Sequence, residues 1–235
     1  MLTLFDIDGT ILRTFGLGIR AMGAAGRGLY GESFDESAVQ FAGRLDPLII
    51  TDLLEANAVD ASAGALASFR DAYREQLESM LLGEPAKLCP GVHELVDALD
   101  RHGAMTLGLL TGNFPETGEL KLRSGGIDPN RFPVRVWGED SPHDPPSRDH
   151  LPHVGFARYL EYHERDVDPA DVVIIGDTPE DVRCATATGC RCVAVGTGRY
   201  SVDELMDAGA DIAVEDLSDT RSVAGWITRE ALKSG

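Results

Sequence analysis

The first ten residues contain the pattern that most constrains the fold of this chain. Residues 2–7 are mostly apolar, which is typical of a strand buried on both faces of a parallel sheet. Asp6 and Asp8 stand two residues apart at its end, and Gly9 and Thr10 then allow a sharp turn. An ionised carboxylate in that position is costly unless a cation or hydrogen-bond donors stabilise it. The pattern therefore predicts either a site for a hard cation such as Mg²⁺ or a simple Asx-turn.

A calcium-binding EF-hand loop is a rival explanation for two closely spaced aspartates. A loop beginning at Asp6 would need glycine at its sixth position and glutamate at its twelfth. Those positions hold Ile11 and Leu17, so the sequence excludes an EF-hand.

The segment after this turn has a helical pattern. Between residues 17 and 86, apolar residues recur at three- and four-residue spacing, as at Phe69, Tyr73 and Leu77, with no strand pattern. Asp46 followed by Pro47 predicts an N-cap and the first residue of a helix. We therefore expect an all-α cap domain at residues 14–87.

From Cys89 onwards, strands alternate with helices. The hydrophobic pattern predicts strands at 104–110, 133–137, 171–176, 191–195 and 211–214, and helices at 91–102, 114–124, 153–164, 179–188, 201–208 and 220–232. Such alternation is typical of an α/β fold with a doubly wound, Rossmann-like parallel sheet. We expect residues 1–13 and 88–235 to form this core domain.

Composition narrows the classes of function. The formal net charge is −18 with only three lysines, Lys87, Lys121 and Lys233, which argues against binding nucleic acid or an anionic membrane. An anionic substrate would therefore need a local cation. The four cysteines form no C-x-x-C pair that would indicate a zinc or redox site. No apolar stretch approaches the ~20 residues of a membrane span, and Asp6 interrupts any signal-like run, so we expect a cytoplasmic protein.

Polar residues follow the predicted strands at the edge where parallel sheets bind ligands. Thr111, Gly112 and Asn113 follow the strand at 104–110 and offer a hydroxyl and backbone N–H groups to an anion. Asp177 follows the strand at 171–176, and Arg148 lies on a proline-rich loop that reaches the same edge.

Asn113 and Asp181, which follows Asp177 at the same edge, each have a purely structural alternative. Asn113 with Glu116 fits a capping box at a helix start. Thr178, Pro179 and Asp181 likewise fit a cap, a proline at the first helical position and an acid at the third. Asp181 is therefore either only a cap or also a group that holds metal-bound water.

Taken together, these residues resemble the haloacid dehalogenase superfamily, most of whose members are phosphatases. The resemblance is carried by the D-x-D-G-T pattern at 6–10, Thr111, Arg148 and the G-D-T-x-x-D pattern at 176–181. With the helical cap after the first motif, it covers essentially the whole chain. It looks most like the phosphoglycolate-phosphatase-like branch.

The resemblance implies a two-step phosphoryl transfer. Asp6 would attack phosphorus and form an aspartyl-phosphate. Asp8 would protonate the leaving oxygen and then activate water. Thr111, Gly112 and Arg148 would hold the phosphoryl oxygens, and the residues implied for substrate binding also include Gly9, Thr10, Arg44 and Asn113. The residues implied for Mg²⁺ are the carboxylates of Asp6 and Asp177, the backbone carbonyl of Asp8, and Asp181.

Details of the motifs separate the subfamilies. Dehalogenating members lack the second aspartate, so Asp8 indicates phosphoryl transfer. Phosphonate-cleaving members use a cap lysine, yet no lysine occurs between residues 2 and 86. The usual third-motif lysine is replaced by Arg148, which we prefer to Lys121 because Lys121 falls in the middle of a helix. Arg44, in a cap turn, either pairs with an anionic leaving group or is a solvated charge.

We therefore expect a Mg²⁺-dependent phosphatase that acts on small phosphorylated metabolites. A sugar phosphomutase would use the same motifs but return the phosphoryl group to the sugar. A non-catalytic phosphate-binding module is a third possibility, although mere binding does not require the Asp6 and Asp8 pair. The sequence does not name a substrate, because caps vary freely on one core.

Overall fold

A six-stranded parallel sheet forms the centre of the computed structural model, which describes residues 1–229. Its strands lie in the order β5-β4-β1-β6-β7-β8, and a separate antiparallel ribbon joins β2 to β3. The strands of the described residues are β1 (Leu2–Phe5), β2 (Leu12–Arg13), β3 (Lys87–Leu88), β4 (Thr106–Leu110), β5 (Val134–Val136), β6 (Val172–Gly176), β7 (Arg191–Val195) and β8 (Ile212–Val214).

Helices cover the sheet and form the insert between β2 and β3. They are α1 (Leu17–Tyr30), α2 (Asp46–Ala56), α3 (Ala63–Gly83), α4 (Val92–Asp100), α5 (Pro115–Ser124), α6 (Leu151–His163), α7 (Pro179–Thr188), α8 (Val202–Asp207) and α9 (Thr220–Thr228). The predicted α/β fold class is confirmed, and most predicted elements lie within two residues of the observed ones. The helix predicted at 220–232 is observed to Thr228, and its last part lies outside the described residues. None of the helices in residues 1–229 is long and apolar enough to cross a membrane.

The position of β1 explains why the acid pair lies where it does. All four of its residues are buried, and β4 and β6 flank it in parallel register. Leu2 and Leu4 pack into one core layer, whereas Phe5 packs into the other. The chain runs from β1 to β4 and β5 on one side, and later returns to β6 on the other. The order of strands therefore reverses beside β1, where an open parallel sheet leaves a crevice for ligands.

The helical insert packs on its own apolar stripe. Phe69, Tyr73, Leu77 and Leu81 of α3 are buried at the four-residue spacing predicted from the sequence, and α3 packs chiefly against α1. The antiparallel ribbon of β2 and β3 carries the chain out of the core and back. Placing a domain boundary at this ribbon stays a prediction.

Asp46 joins the insert to the core instead of capping its own helix. The N-cap of α2 is Leu45, so the predicted N-cap at Asp46 is wrong by one residue. The Asp46 carboxylate is buried and accepts hydrogen bonds from the Phe114 N–H (3.3 Å) and the Thr117 hydroxyl (3.5 Å), while its own N–H donates to the Gly112 carbonyl (2.7 Å). The side chain is thereby committed to the start of α5, in another part of the chain.

Arg70 provides a second link between insert and core. Its guanidinium donates to Glu116 (2.6 and 2.8 Å) and to Glu139 (2.5 and 3.3 Å), and lies 4.1 Å from the centre of the Phe114 ring. Burial acts to raise the pKa of Glu116, but the hydrogen bond from Arg70, a backbone hydrogen bond and the charges of Arg70 and Arg74 together lower it. Both links hold the insert over the carboxyl ends of β1 and β4.

The free energy of unfolding of the Asp46→Asn variant, relative to that of the wild type, should increase as pH rises. Burial raises the pKa of Asp46 to about 7, against the opposing charge of Lys121. The unfolded chain releases this proton near pH ~4, so the free energy of unfolding falls as pH rises from ~4 to ~7 and stays lowered above that. The asparagine variant lacks this loss. Thermal unfolding of metal-free protein at about pH 5 and about pH 8 measures the effect, with exposed Asp71→Asn on α3 as control; a variant advantage that shrinks at higher pH would contradict it.

Candidate active site

The acid pair lies at the carboxyl end of β1. The Asp6 N–H donates to the Ile175 carbonyl of β6 (2.9 Å), which holds this residue against the neighbouring strand. The Asp6 side chain is 8% exposed, whereas the Asp8 side chain is 41% exposed and faces a cavity. Gly9 adopts a φ of 87°, and a Cβ atom there would lie 2.3 Å from Asp177 Oδ2. The turn therefore requires glycine both for its conformation and for its approach to Asp177.

Three carboxylates converge behind this turn. One oxygen each of Asp6, Asp177 and Asp181 lies within 4.8 Å of the others, and all three residues are buried. Burial, opposed by Arg148 and reinforced by Asp181 and Asp8, raises the pKa of Asp6 to about 7. Burial, together with Asp6 and Asp181, also raises the pKa of Asp177. The group thus carries more negative charge than its surroundings offset, which is the situation a divalent cation relieves.

Asp181 has less room for a metal than Asp6 or Asp177. Its Oδ2 accepts from the Thr178 N–H (3.1 Å) and hydroxyl (2.6 Å), which is the capping arrangement predicted from the sequence. Its Oδ1 accepts from Arg148 Nη2 at 2.5 Å. With both oxygens engaged, Asp181 acts as a cap and as a partner of Arg148. Of the three carboxylates, Asp6 and Asp177 are therefore the ones with oxygens left to contact a cation.

Arg148 lies among these carboxylates. Its Nη2 donates to Asp6 Oδ1 (2.9 Å) as well as to Asp181, and the side chain is 5% exposed. Burial alone would lower its pKa, but Asp181 and Asp6 outweigh that effect and raise it. Its Nε is buried without a hydrogen-bond partner among the described residues. Arg148 is therefore not a surface arginine, and its Nε remains an unused donor beside Asp6.

Asn113 belongs to the site instead of capping a helix. Phe114 is the N-cap of α5, and the predicted capping box of Asn113 with Glu116 is not formed. The Asn113 amide nitrogen donates to Asp8 Oδ2 (2.8 Å) and to the Thr111 hydroxyl (2.7 Å). Thr111 is fully buried, so Asn113 connects it to the exposed acid of the pair.

Lys121 lies within a helix as predicted, but it also reaches the site, which the sequence analysis did not predict. Its Nζ donates to Asp8 Oδ2 (2.6 Å) and to Asn113 Oδ1 (2.5 Å), and its side chain is 6% exposed. Burial would lower its pKa, but Asp8 and Asp46 outweigh burial and raise it. The signal was its spacing: Lys121 is four residues after Thr117 on the buried face of α5, where a lysine needs an acidic partner.

The remaining predicted residues surround a cavity of about 730 Å³ between the insert and the core. Gly9, Gly112 and Arg44 line it together with Asp6 and Asp8, and the Thr10 hydroxyl donates to Asp177 Oδ1 (3.4 Å) just behind it. A Cβ at Gly112 would lie 2.0 Å from the Arg44 carbonyl, so the insert approaches the core closely here. The predicted site residues therefore line one cavity, except for Thr10 and Asp181, which lie behind it, and the Arg44 guanidinium is directed to Asp52.

The Arg44 guanidinium donates its hydrogen bonds to groups within the insert. Its Nη2 bonds Asp52 (2.5 Å) and its Nη1 bonds the Gln40 carbonyl (3.2 Å). The predicted role of Arg44 in binding an anionic leaving group therefore requires it first to leave Asp52.

Comparison with known proteins identifies the family to which the chain belongs. A family model described as haloacid dehalogenase-like hydrolase matches residues 3–195. No curated protein matches the chain. A doubly wound parallel sheet with a helical insert over an acid pair at its reversal point defines a Rossmann-like α/β fold with a helical insert. The chain belongs to the haloacid dehalogenase-like hydrolase family, which confirms the predicted superfamily and that this is an enzyme of that type.

Solved structures agree on the fold. CbbY from Rhodobacter sphaeroides in complex with xylulose-(1,5)bisphosphate is similar with a TM-score of 0.74 and 21% identity, over 93% of this chain and 95% of that one. A structure from Haemophilus somnus, described as a predicted phosphoglycolate phosphatase, gives 0.69 and 18%, over 94% and 96%. A candidate β-phosphoglucomutase from Thermotoga maritima gives 0.63 and 22%, over 98% and 99%.

Lys121→Met should destabilise the protein, because it leaves the Asp8 and Asp46 carboxylates without their shared cation. We expect the free energy of unfolding to fall by about 1–3 kcal/mol, the range for losing a hydrogen bond to a charged group. Urea denaturation of metal-free protein at neutral pH measures it. Arg123→Met, on the same helix with its side chain 56% exposed, is the matched control; equal losses in the two variants would show that Lys121 is an ordinary surface cation.

Proposed function

We propose that this chain hydrolyses small phosphomonoesters by transferring the phosphoryl group to Asp6. The observation that carries the proposal is the environment of the acid pair. Asp6 is buried against Arg148, whereas Asp8 is half exposed to the cavity and held by Lys121 and Asn113. Two neighbouring carboxylates with different surroundings suit a nucleophile beside an acid–base group.

The hydrogen bonds support a specific course for the first step. Arg148 occupies Oδ1 of Asp6, and Oδ2 accepts no hydrogen bond from the described residues, so Oδ2 is the atom available to attack phosphorus. The ester oxygen leaves with a proton from Asp8, whose carboxyl reaches the cavity. Arg148 Nε, which has no partner among the described residues, and the Gly112 N–H after β4 would hold phosphoryl oxygens.

The second step returns the enzyme to its starting state. Water attacks phosphorus of the aspartyl-phosphate and gives its proton to Asp8, which releases inorganic phosphate and regenerates both acids. Lys121 and Asn113 keep the Asp8 carboxylate in one position for both proton transfers.

A divalent cation fits the donor set of this site. Asp6 and Asp177 present the hard oxygens that Mg²⁺ prefers, and their raised pKa values mark a shortage of positive charge. When bound, Mg²⁺ supplies charge that favours ionised Asp6 and stabilises the phosphoryl oxygens. Asp8 would contribute only its backbone carbonyl, since its side chain is bonded to Lys121.

A sugar phosphomutase is the second candidate. It is favoured by the fold similarity to the candidate β-phosphoglucomutase and by a cavity of about 730 Å³, which can accommodate a sugar phosphate. A non-catalytic binding module is disfavoured, because binding alone does not require an acid held beside the nucleophile.

Asp6→Asn should abolish turnover and leave the protein folded. The amide removes the nucleophile and also a buried charge, so the metal-free variant should be at least as stable as the wild type. Phosphate release from a panel of phosphorylated metabolites with added Mg²⁺, together with circular dichroism, measures both effects. Turnover near the wild-type level in the purified variant would show that another group is the nucleophile.

The panel also separates the two candidate reactions. A mutase must keep water from the aspartyl-phosphate while the sugar turns over, so hexose phosphates would isomerise faster than they release phosphate. We expect the opposite, with phosphate as the main product. Isomer formation that outpaces phosphate release would replace the phosphatase proposal with the phosphomutase.

Arg148→Ala should lower kcat by roughly 10²- to 10³-fold, the typical effect of losing one donor to a developing charge. Arg148→Lys should recover only part, because lysine keeps the charge but cannot reach Asp6, Asp181 and a phosphoryl oxygen with one planar group. Arg183→Ala, which removes an exposed arginine bonded to Asp149, is the control. Retention of more than about a third of wild-type kcat by Arg148→Ala, a change under ~0.7 kcal/mol, would move the role to Lys121.

A further inference from the structure

Three cations near the mouth of the cavity bond no carboxylate of the described residues: Arg13, Lys87 and Arg199. Acidic partners are plentiful in a chain with 39 acidic and 21 basic residues, so a cation that bonds none of them keeps its charge available to a ligand. Most other arginines of residues 1–229 do form ion pairs; they are Arg20, Arg27, Arg44, Arg70, Arg74, Arg123, Arg131, Arg135, Arg148, Arg158, Arg183 and Arg229.

The ribbon that joins core and insert concentrates two of these cations. Arg13 of β2 pairs directly with Lys87 of β3, so both side chains project from the same face of the ribbon. Like charges directly opposite each other destabilise an antiparallel pair. An acid at either position would form a favourable pair. Two cations at these positions therefore destabilise the ribbon.

The residue that follows this ribbon is also unfavourable for stability. Phe15 is 64% exposed and adopts a φ of 50°, which a bulky side chain rarely does. Its ring lines the cavity, and Lys87 Nζ lies 5.7 Å from the ring centre. Strained and exposed residues that gather at one place indicate a functional constraint.

Arg13 and Arg199 line the same cavity as Asp6 and Asp8. The other cations that line it are committed elsewhere. Arg148 bonds Asp6 and Asp181, Lys121 bonds Asp8, and Arg44 bonds Asp52. Within the described part of the chain, the cavity therefore holds a site for one phosphoryl group and, separately, two arginines whose charge is not offset.

We propose that Arg13 and Arg199 bind a second anionic group of the substrate, a carboxylate or a second phosphate. This inference rests on the proposed phosphatase function and narrows it to substrates with two anionic ends. Arginine suits this role because its planar donors match the oxygens of either group. The net charge of −18 repels such substrates at long range, and the arginines, reinforced by Lys87, provide a local positive potential at the entrance.

Two pairs of substrates that differ at the distal end test the subsite. Glycerol 3-phosphate is compared with 3-phosphoglycerate for a carboxylate, and glucose 1-phosphate with glucose 1,6-bisphosphate for a phosphate. We expect at least one anionic member to be preferred by about tenfold or more in kcat/KM, equivalent to ~1.4 kcal/mol. The preference should fall to within about twofold in the Arg13→Gln/Arg199→Gln double variant.

Arg101→Gln/Arg165→Gln is the matched control. Both arginines are exposed, form no ion pair among the described residues and do not line the cavity, so their loss removes two positive charges elsewhere. The preference should survive in this variant. An equal fall in both variants would mean that net charge alone sets the preference, and would overturn the subsite.

The outcomes separate the subsite from the proposed function. Turnover with no preference within either pair overturns the subsite and leaves the phosphatase standing. No turnover of any of the four esters contradicts the phosphatase, and the subsite is then judged by calorimetric binding to Asp6→Asn protein with and without the double substitution. Tighter binding of an anionic member that disappears with the two arginines supports the subsite; binding that does not change overturns it.

Discussion

Carboxylates crowded at the carboxyl end of β1 are the constraint on which the rest of the site depends. Asp6, Asp177 and Asp181 are buried with one oxygen each within 4.8 Å of the others, so their mutual repulsion is poorly screened by water. Arg148 offsets part of it from within the group. The pKa of Asp6, raised to about 7, shows that the offset is incomplete. Buried charges of this kind are tolerated in a folded protein when they are paired or coordinate a cation.

Two internal cations divide the acid pair between two environments. Arg148 arrives from the loop before α6 and fixes Asp6, while Lys121 arrives from α5 and fixes Asp8. The two acids are only two residues apart in the chain, yet one is enclosed and the other is half exposed to the cavity. This difference suits a nucleophile enclosed by protein beside a group that exchanges its proton with substrate and water. Because burial raises the pKa of Asp6 to about 7, a cation bound beside it would favour the ionised form that attacks.

Local patterns predicted the parts of the site that a single segment determines. The strand ending in Asp6, the turn at Gly9 and the cap of Thr178 with Asp181 depend on neighbouring residues, and the structure contains each of them. The roles of Lys121 and Asp46 were not predicted, because they depend on residues from other segments that lie opposite them. A helical pattern shows that Lys121 shares a face with Thr117, but not that Asp8 lies opposite. Asp46 next to Pro47 looks like a helix cap until the start of α5 is known to lie against it.

The insert and the core contribute different kinds of residue to the cavity. The insert contributes Asp46, Tyr73 and several apolar residues to the cavity wall, and its one lining arginine, Arg44, is paired with Asp52. The cations whose charge is not offset lie instead on the ribbon at Arg13 and on the loop after β7 at Arg199. The ribbon is also the segment that connects insert and core, and the Gly9 N–H donates to the Leu12 carbonyl (2.8 Å), which ties β2 to the turn that carries the acid pair. A distal anion bound by Arg13 would therefore be recognised by a group held to the core, while the insert supplies most of the cavity wall.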